Sequence, residues 1–153
     1  MAADPAARLE EMLDRVLDAC DLDGEVEVDE DEEILRGTID GDDLGLVIGR
    51  HGQTIDALEH LAARIAFHGE SARKRVVIDA AGYRERRAEI LERQADRAVE
   101  EAMRYGRPVA LDAMVASERR VVHEYLRDRR DVETYSEGEE PDRHLVVAPV
   151  ISA

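Results

Sequence analysis

Apolar residues follow a helical spacing in three long segments, 5–20, 54–68 and 83–105, where they recur every three or four positions. This spacing predicts amphipathic helices. Two shorter helices are predicted over 42–48 and over 117–126, the second capped by its own first residue, a serine. Short segments rich in Val, Ile and Leu predict strands at 26–28, 34–39, 75–79, 109–111, 132–135 and 145–151.

The chain has 153 residues, which suits one ordinary domain or two small ones. No internal repeat or low-complexity linker divides it. The helix over 83–105 has a narrow apolar stripe and a surface rich in Glu and Arg, so it is the natural boundary between two parts. Helices and strands that follow one another in this irregular order predict an α+β fold.

Charge is distributed unevenly along the chain. There are 37 acidic and 21 basic residues, a net charge of -16, and this average argues against a polyanionic partner. However, residues 1–43 carry 17 acidic and three basic residues, a net charge of -14, whereas residues 44–153 carry 20 and 18. Because the larger part is almost neutral and holds clusters of basic residues, nucleic acid is not excluded.

Several classes of protein are disfavoured by the residues present. Cys20 is the only cysteine, so no internal disulfide can form. The opening residues do not resemble a signal peptide and no apolar run approaches a membrane span, so we expect a cytoplasmic protein without membrane insertion. His123-Glu124 begins like a zinc-protease motif, but Arg127 stands where the second His is needed. We therefore expect no metal, no cofactor and no catalytic residues.

The first candidate binding site is the glycine-bounded loop Gly49–Gly52, which a short apolar helix enters and a second helix follows. Glycines let the backbone pass close to a ligand. The first-turn N–H groups of the second helix attract phosphate, and Arg50 and His51 can point outward between the glycines. Two glycines at this spacing arise readily by chance, so a plain connection between two helices is an equally good interpretation.

The second candidate site combines Arg119 and His123, which share one face of a predicted helix because they are four positions apart. Arg120 and Arg127 extend the basic surface. A guanidinium and an imidazole that project together suit a phosphate or an unstacked base. An ordinary solvated helix face is the alternative, and composition alone favours that alternative.

Two segments resemble known nucleic-acid-binding modules. The segment VIGRHGQTIDAL, 47–58, resembles the GXXG loop and following helix of a KH domain, and the order of the predicted elements resembles the type II arrangement. The segment ERRVVH, 118–123, resembles the signature of the R-x-x-x-H domain. Together with VIDAAGYRERR, 77–87, and VETYSEGEEP, 132–141, these segments resemble the Jag family, also called KhpB or SpoIIIJ-associated protein, from about residue 5 onward.

The resemblance implies boundaries for each module. They are a type II KH domain over 1–80 (acidic helix and hairpin 1–43, GXXG core 44–80), a connecting helix over 81–106 and an R-x-x-x-H domain over 107–153.

The resemblance also implies RNA-binding residues in both modules. Those of the KH loop and groove are Ile48, Gly49, Arg50, His51, Gly52, Gln53, Thr54 and Ile55. Ile48 and Ile55 are expected to floor an apolar groove for the bases. Those of the R-x-x-x-H module are Arg119 and His123, with Arg120 and Arg127 beside them.

The function implied by the resemblance is binding of single-stranded RNA, and also of single-stranded DNA, without catalysis. In the family the protein can pair with a small KH-only protein and is linked to cell elongation and division. The chain departs from the family in two respects. It has no room for the N-terminal Jag domain of many relatives, and His51 stands where a second basic residue is expected. The competing hypothesis is a protein–protein adaptor that uses the acidic residues 1–43, with RNA binding secondary; the oligomeric state stays open.

Overall fold

The structure is a computed structural model that describes residues 4–151. The helices are α1 (Pro5–Ala19), α2 (Gly45–Ile48), α3 (Gln53–Ala66), α4 (Tyr83–Tyr105) and α5 (Ala116–Leu126). The strands are β1 (Glu25–Glu30), β2 (Ile34–Asp40), β3 (Arg75–Ala80), β4 (Val109–Ala110), β5 (Val132–Glu137) and β6 (His144–Pro149). The predicted α+β class is confirmed, and the chain divides into two compact units with the boundary between Arg84 and Glu85.

The first unit is a three-stranded sheet covered by helices α1 and α3. The strand order is β1-β2-β3, with β2 antiparallel to β1 and parallel to β3. Gly37 lies in the central strand, opposite Val28 on one side and Ile78 on the other. A side chain at Gly37 would lie 2.7 Å from Leu13 of α1, so this glycine lets the helix approach the sheet closely.

Helix α1 begins where the sequence predicts. The side chain of Asp4 accepts a hydrogen bond from the backbone N–H of Ala7 at 2.9 Å, and Pro5 occupies the first turn. Leu9, Leu13 and Leu17 form the buried stripe that packs into the first core. The acidic N-terminal segment is therefore an integral part of the first unit, because its apolar face and its strands build the same core as the loop region.

The second unit is an antiparallel sheet in the order β4-β6-β5, packed against α4 and α5. Leu91, Ala95 and Val99 of α4 share its core with Val122 of α5 and Val147 of β6. The prediction of 81–106 as a separate connecting helix therefore needs a correction. Most of α4 belongs to the second unit, because its narrow apolar stripe is buried there.

One predicted cap is wrong. Helix α5 begins at Ala116, and its N-cap is Val115, which supplies no side-chain hydrogen bond. Ser117 therefore lies inside the first turn. Within residues 4–151, no helix is both long enough and apolar enough to cross a membrane.

Candidate nucleic-acid interface

The loop Gly49–Gly52 joins α2 to α3 and contains three residues with unusual backbone angles. Gly49 has φ 72° and ψ 178°, a combination that is essentially confined to glycine. His51 (φ 55°, ψ 27°) and Gly52 (φ 75°, ψ 14°) are left-handed. The chain reverses sharply here, and the N-cap of α3 is a glycine that offers no side-chain acceptor to the first-turn N–H groups. This is the backbone arrangement expected of an anion-binding loop.

Both glycines are also required by their neighbours. A methyl group at Gly49 would lie 2.9 Å from the backbone nitrogen of Thr54 and would collide with its hydroxyl. A methyl group at Gly52 would lie 2.8 Å from Cε1 of Tyr83. Tyr83 is the first residue of α4, so its ring packs against the loop that the sequence singles out. The shape of the loop is thus fixed by local strain and by a residue about thirty positions away.

The structure separates the predicted loop residues into accessible and buried ones. Arg50, His51, Gln53 and Thr54 are exposed, and Ile48 is half-buried. Ile55 is fully buried in the first core. The expectation that Ile55 offers an open apolar floor is therefore wrong, because its side chain faces the sheet.

A cluster of charged side chains lies next to this loop in the first unit. Arg84 donates from Nη1 to Asp56 at 3.1 Å and from Nη2 to Glu59 at 2.6 Å. Arg84 also donates from Nε to the carbonyl of Ile78 at 2.7 Å, and Glu59 accepts from the N–H of Ile78 at 3.0 Å. The cluster therefore ties α3 and the start of α4 to strand β3.

The second candidate site differs from its prediction in one decisive respect. Arg119 is 9% exposed, and its Nη1 donates to the carbonyl of Met114 at 2.6 Å. Its Nη2 lies 3.0 Å from Oε1 of Glu140. The expectation that this guanidinium projects freely from the helix beside His123 is wrong, because it is used to hold the 112–115 segment and the loop before β6.

The neighbours of Arg119 on α5 are accessible. His123 is exposed, and its Nδ1 lies 2.6 Å from the hydroxyl of Thr134 on β5. Arg120 is exposed, and Arg127 pairs with Glu124 at 2.8 Å on the surface. These three residues, rather than Arg119, supply the positive surface of the second unit that the sequence predicts.

A buried ion pair anchors the first turn of α5. Glu118 is 5% exposed, and its Oε1 accepts from Nε of Arg87 at 2.5 Å. Its Oε2 has no hydrogen-bond partner among the described residues. Within residues 4–151, no group of three or more His, Cys, Asp or Glu residues is arranged to hold a metal ion.

Two family models match the chain and divide it much as the units do. A model described as the KhpA/KhpB KH domain matches residues 6–78, which span α1 to β3 and include the GXXG loop. A model of the R-x-x-x-H domain matches residues 89–149. This second match begins inside α4, in agreement with the burial of that helix in the second core.

Similar proteins confirm the predicted family. A protein named RNA-binding protein KhpB from Bacillus subtilis is 31% identical over 147 residues, which are 95% of this chain and 71% of that protein. The chain belongs to the KhpB family. The KhpB of Clostridium symbiosum is 39% identical over 140 residues, and that of Lactiplantibacillus plantarum is 43% identical over 104 residues. These matches cover 90% and 68% of this chain but only 63% and 32% of the lengths of those two relatives.

Sequence reasoning about this KhpB-family chain did not find the Asp56–Glu59–Arg84 cluster. Asp56 and Glu59 are three positions apart on α3 and so share a face, which is a weak signal. Arg84 appears in the sequence as one of several basic residues at the start of a long helix. Its contact with β3 depends on the turn before α4, where Ala81 and Gly82 both have positive φ.

Proposed function

We propose that the chain binds single-stranded RNA, and single-stranded DNA more weakly, without cleaving either. The observation that carries the proposal is the loop Gly49–Gly52, a strained and sterically required turn with exposed Arg50 and His51. In KH domains a GXXG loop holds a short stretch of backbone. The presence of a KH module and an R-x-x-x-H module and the names of the relatives support the same function.

The mechanism we propose is electrostatic and geometric. A phosphate approaches the N-terminus of α3, where glycine permits close contact and backbone N–H groups face the ligand. Arg50 and His51 contact neighbouring phosphates from the loop. The exposed residues His123, Arg120 and Arg127 of α5 give a second anchoring surface on the other unit. Neither surface needs a nucleophile, a metal or a cofactor.

The decisive experiment changes the loop without disturbing its backbone. The double variant Arg50→Asp/His51→Asp is suitable because Asp tolerates the left-handed angles of His51 better than most residues. We expect fluorescence anisotropy with a short single-stranded RNA to show at least about a tenfold loss of affinity, because two phosphate contacts are replaced by repulsion. Unchanged affinity would remove the loop from the binding site.

A matched pair separates local contacts from net charge. Arg50→Glu and Arg15→Glu change the charge of the first unit equally, but Arg15 lies on α1 and pairs with Glu11. We expect Arg50→Glu to weaken RNA binding several times more than Arg15→Glu. Equal losses would mean that RNA responds only to the overall charge of the unit.

Competition experiments test the kind of nucleic acid. Single-stranded RNA is expected to compete better than single-stranded DNA or an RNA duplex of the same length, because unstacked bases are accessible only in single strands. Affinity is expected to fall steeply with salt. Intact RNA after prolonged incubation is the result consistent with a non-catalytic protein.

In the cell, we propose a post-transcriptional regulator linked to elongation and division that pairs with a small KH-only protein; the family resemblance supports this part. The alternative, an adaptor, is favoured by the exposed acidic residues Asp23, Glu25, Asp42 and Asp43 at one end of the first sheet. Affinity capture from lysate with and without RNase separates the two functions. Partners that survive RNase and are lost when these acids are neutralised favour the adaptor.

A further inference from the structure

Strand β3 is an edge strand whose outer backbone groups are occupied by side chains. It pairs with β2 on one side only. On the open side, the N–H of Ile78 donates to Glu59 at 3.0 Å and its carbonyl accepts from Arg84 at 2.7 Å. The next outward N–H, of Ala80, donates to the side chain of Asp79 at 2.9 Å. A ligand that reaches this edge therefore meets side chains before it meets the main chain.

The Glu59–Arg84 pair keeps hydrogen-bonding capacity for such a ligand. Oε2 of Glu59 accepts from both Ile78 and Arg84, whereas Oε1 has no hydrogen bond among the described residues. Each terminal nitrogen of Arg84 carries two N–H groups and uses one of them within the cluster. The two side chains are 27% and 32% exposed. An acceptor and donors thus lie side by side at a partly exposed position.

The pair lies within reach of an RNA strand held by the loop. Helix α3 starts directly after Gly52, and Asp56 follows one helical turn, about 6 Å, further on. The ring of Tyr83 packs against Gly52, and the next residue is Arg84. Both ends of the cluster are thus attached to the loop, and a nucleotide bound there places its base toward the outer edge of β3.

We propose that the Glu59–Arg84 pair selects bases that carry an exocyclic amine and discriminates against uracil; the inference rests on the proposed RNA binding. Cytosine and adenine each present an amino donor beside a ring acceptor, which matches a carboxylate beside a guanidinium. Uracil has no amine, and its single ring N–H is flanked by two carbonyl oxygens that repel a carboxylate. The pair therefore determines which base binds, while the loop holds the backbone.

The test compares the full chain with oligo(A), oligo(C) and oligo(U) RNA of equal length by anisotropy. We expect oligo(A) and oligo(C) to bind roughly tenfold more tightly than oligo(U), the size of one well-placed base contact. Glu59→Gln retains an acceptor for Ile78 but adds an amide donor that suits uracil. It is expected to reduce the preference to about twofold or less.

The control is Glu27→Gln, which removes the same charge from β1 at the opposite edge of the sheet. It is expected to change all three affinities by one common factor. The proposal is overturned if Glu59→Gln also changes them by a common factor, or if the unaltered chain binds oligo(U) as tightly as oligo(C).

A second variant guards against misfolding. Arg84→Lys keeps the charge but loses the planar fork, so it is expected to weaken base preference while the salt dependence stays unchanged. Hydrogen exchange of β3 amides reports whether the edge is still formed. Loss of binding to every RNA in the unaltered chain would refute the proposed function itself, whereas tight binding without base preference would refute only this inference.

Discussion

The two motif regions of the molecule use their characteristic residues in different ways. In the first unit, the GXXG loop positions exposed side chains by means of its backbone: both glycines have positive φ, and Arg50 and His51 are accessible. In the second unit, the arginine of the R-x-x-x-H motif is buried and holds two neighbouring segments together, while the histidine is exposed. One motif therefore presents its side chains to solvent, and the other is half structural.

This difference shows that a motif residue contributes through its surroundings. A glycine at position 49 is required by its own backbone angles, which the substitution of any other residue would strain. An arginine at position 119 is required by Met114 and Glu140, which lie before and after it in the chain. Substitutions in the two motifs should accordingly fail for different reasons, and the predictions below take this contrast in decreasing order of effect.

The largest effect is expected for Gly49→Ala. The backbone angles, which only glycine adopts without strain, and the contact with Thr54 should together cost about 3 kcal/mol of first-unit stability. Hydrogen exchange of β2 amides measures the loss. Gly45→Ala is the control, since Gly45 is helical with no atom within 4 Å of an added methyl group, and it should be neutral or slightly stabilising. Equal behaviour of the two variants would mean that the loop conformation is not required.

Arg119→Ala should destabilise the second unit by about 2 kcal/mol, because the carbonyl of Met114 loses its donor and the site loses packing. Hydrogen exchange of β6 amides reports this loss, and β2 amides should stay unchanged. Arg120→Ala, at the exposed neighbouring position, should cost less than about 0.5 kcal/mol. If Arg119→Ala leaves β6 protected but weakens RNA binding, the arginine is a contact residue rather than a structural one.

His123→Ala should change binding more than folding. The imidazole is exposed and has one side-chain hydrogen bond, to Thr134, so the stability loss should stay below about 1 kcal/mol. RNA affinity should fall a few-fold, which anisotropy can measure. His123→Asn, which retains a polar group near Thr134, separates the hydrogen bond from the ring. A stability loss as large as that of Arg119→Ala would make both motif residues structural.

The smallest effect concerns acid stability. The backbone N–H groups of Glu33 and Ile34 hold the pKa of Asp31 below its ordinary value, and the side chain of Arg129 does the same for the pKa of Asp131. A carboxylate with a depressed folded pKa stabilises above its unfolded value, about 3.9, and this contribution disappears as pH falls through the folded value. Asp31→Asn should therefore make the first unit lose less stability than the unaltered chain as the pH falls from about 5 to about 3.

Salt distinguishes the two carboxylates. The effect of Asp131, which depends on an exposed ion pair, should shrink in high salt, whereas that of Asp31 should persist because backbone hydrogen bonds are screened less. Thermal unfolding across this pH range at two salt concentrations measures both. Identical salt responses would contradict the assigned causes.

The sequence by itself determined the elements and the location of the loop. The predicted range of α4 agrees with the structure at both ends, and α1 begins after Asp4 as expected, because periodicity and capping act over a few neighbouring residues. The glycines of the loop were identifiable for the same reason. The two modules were recognisable because their motifs are contiguous in the chain.

Only the tertiary structure decided which of these residues are accessible. Ile55 is buried by the first sheet and Arg119 by the segments around Met114 and Glu140, and Arg84 reaches Glu59 and Ile78 across the turn that precedes α4. Each of these contacts joins residues of separate elements. Burial is a property of the partner as much as of the residue, so a local pattern places a side chain on a helix face without determining what covers that face.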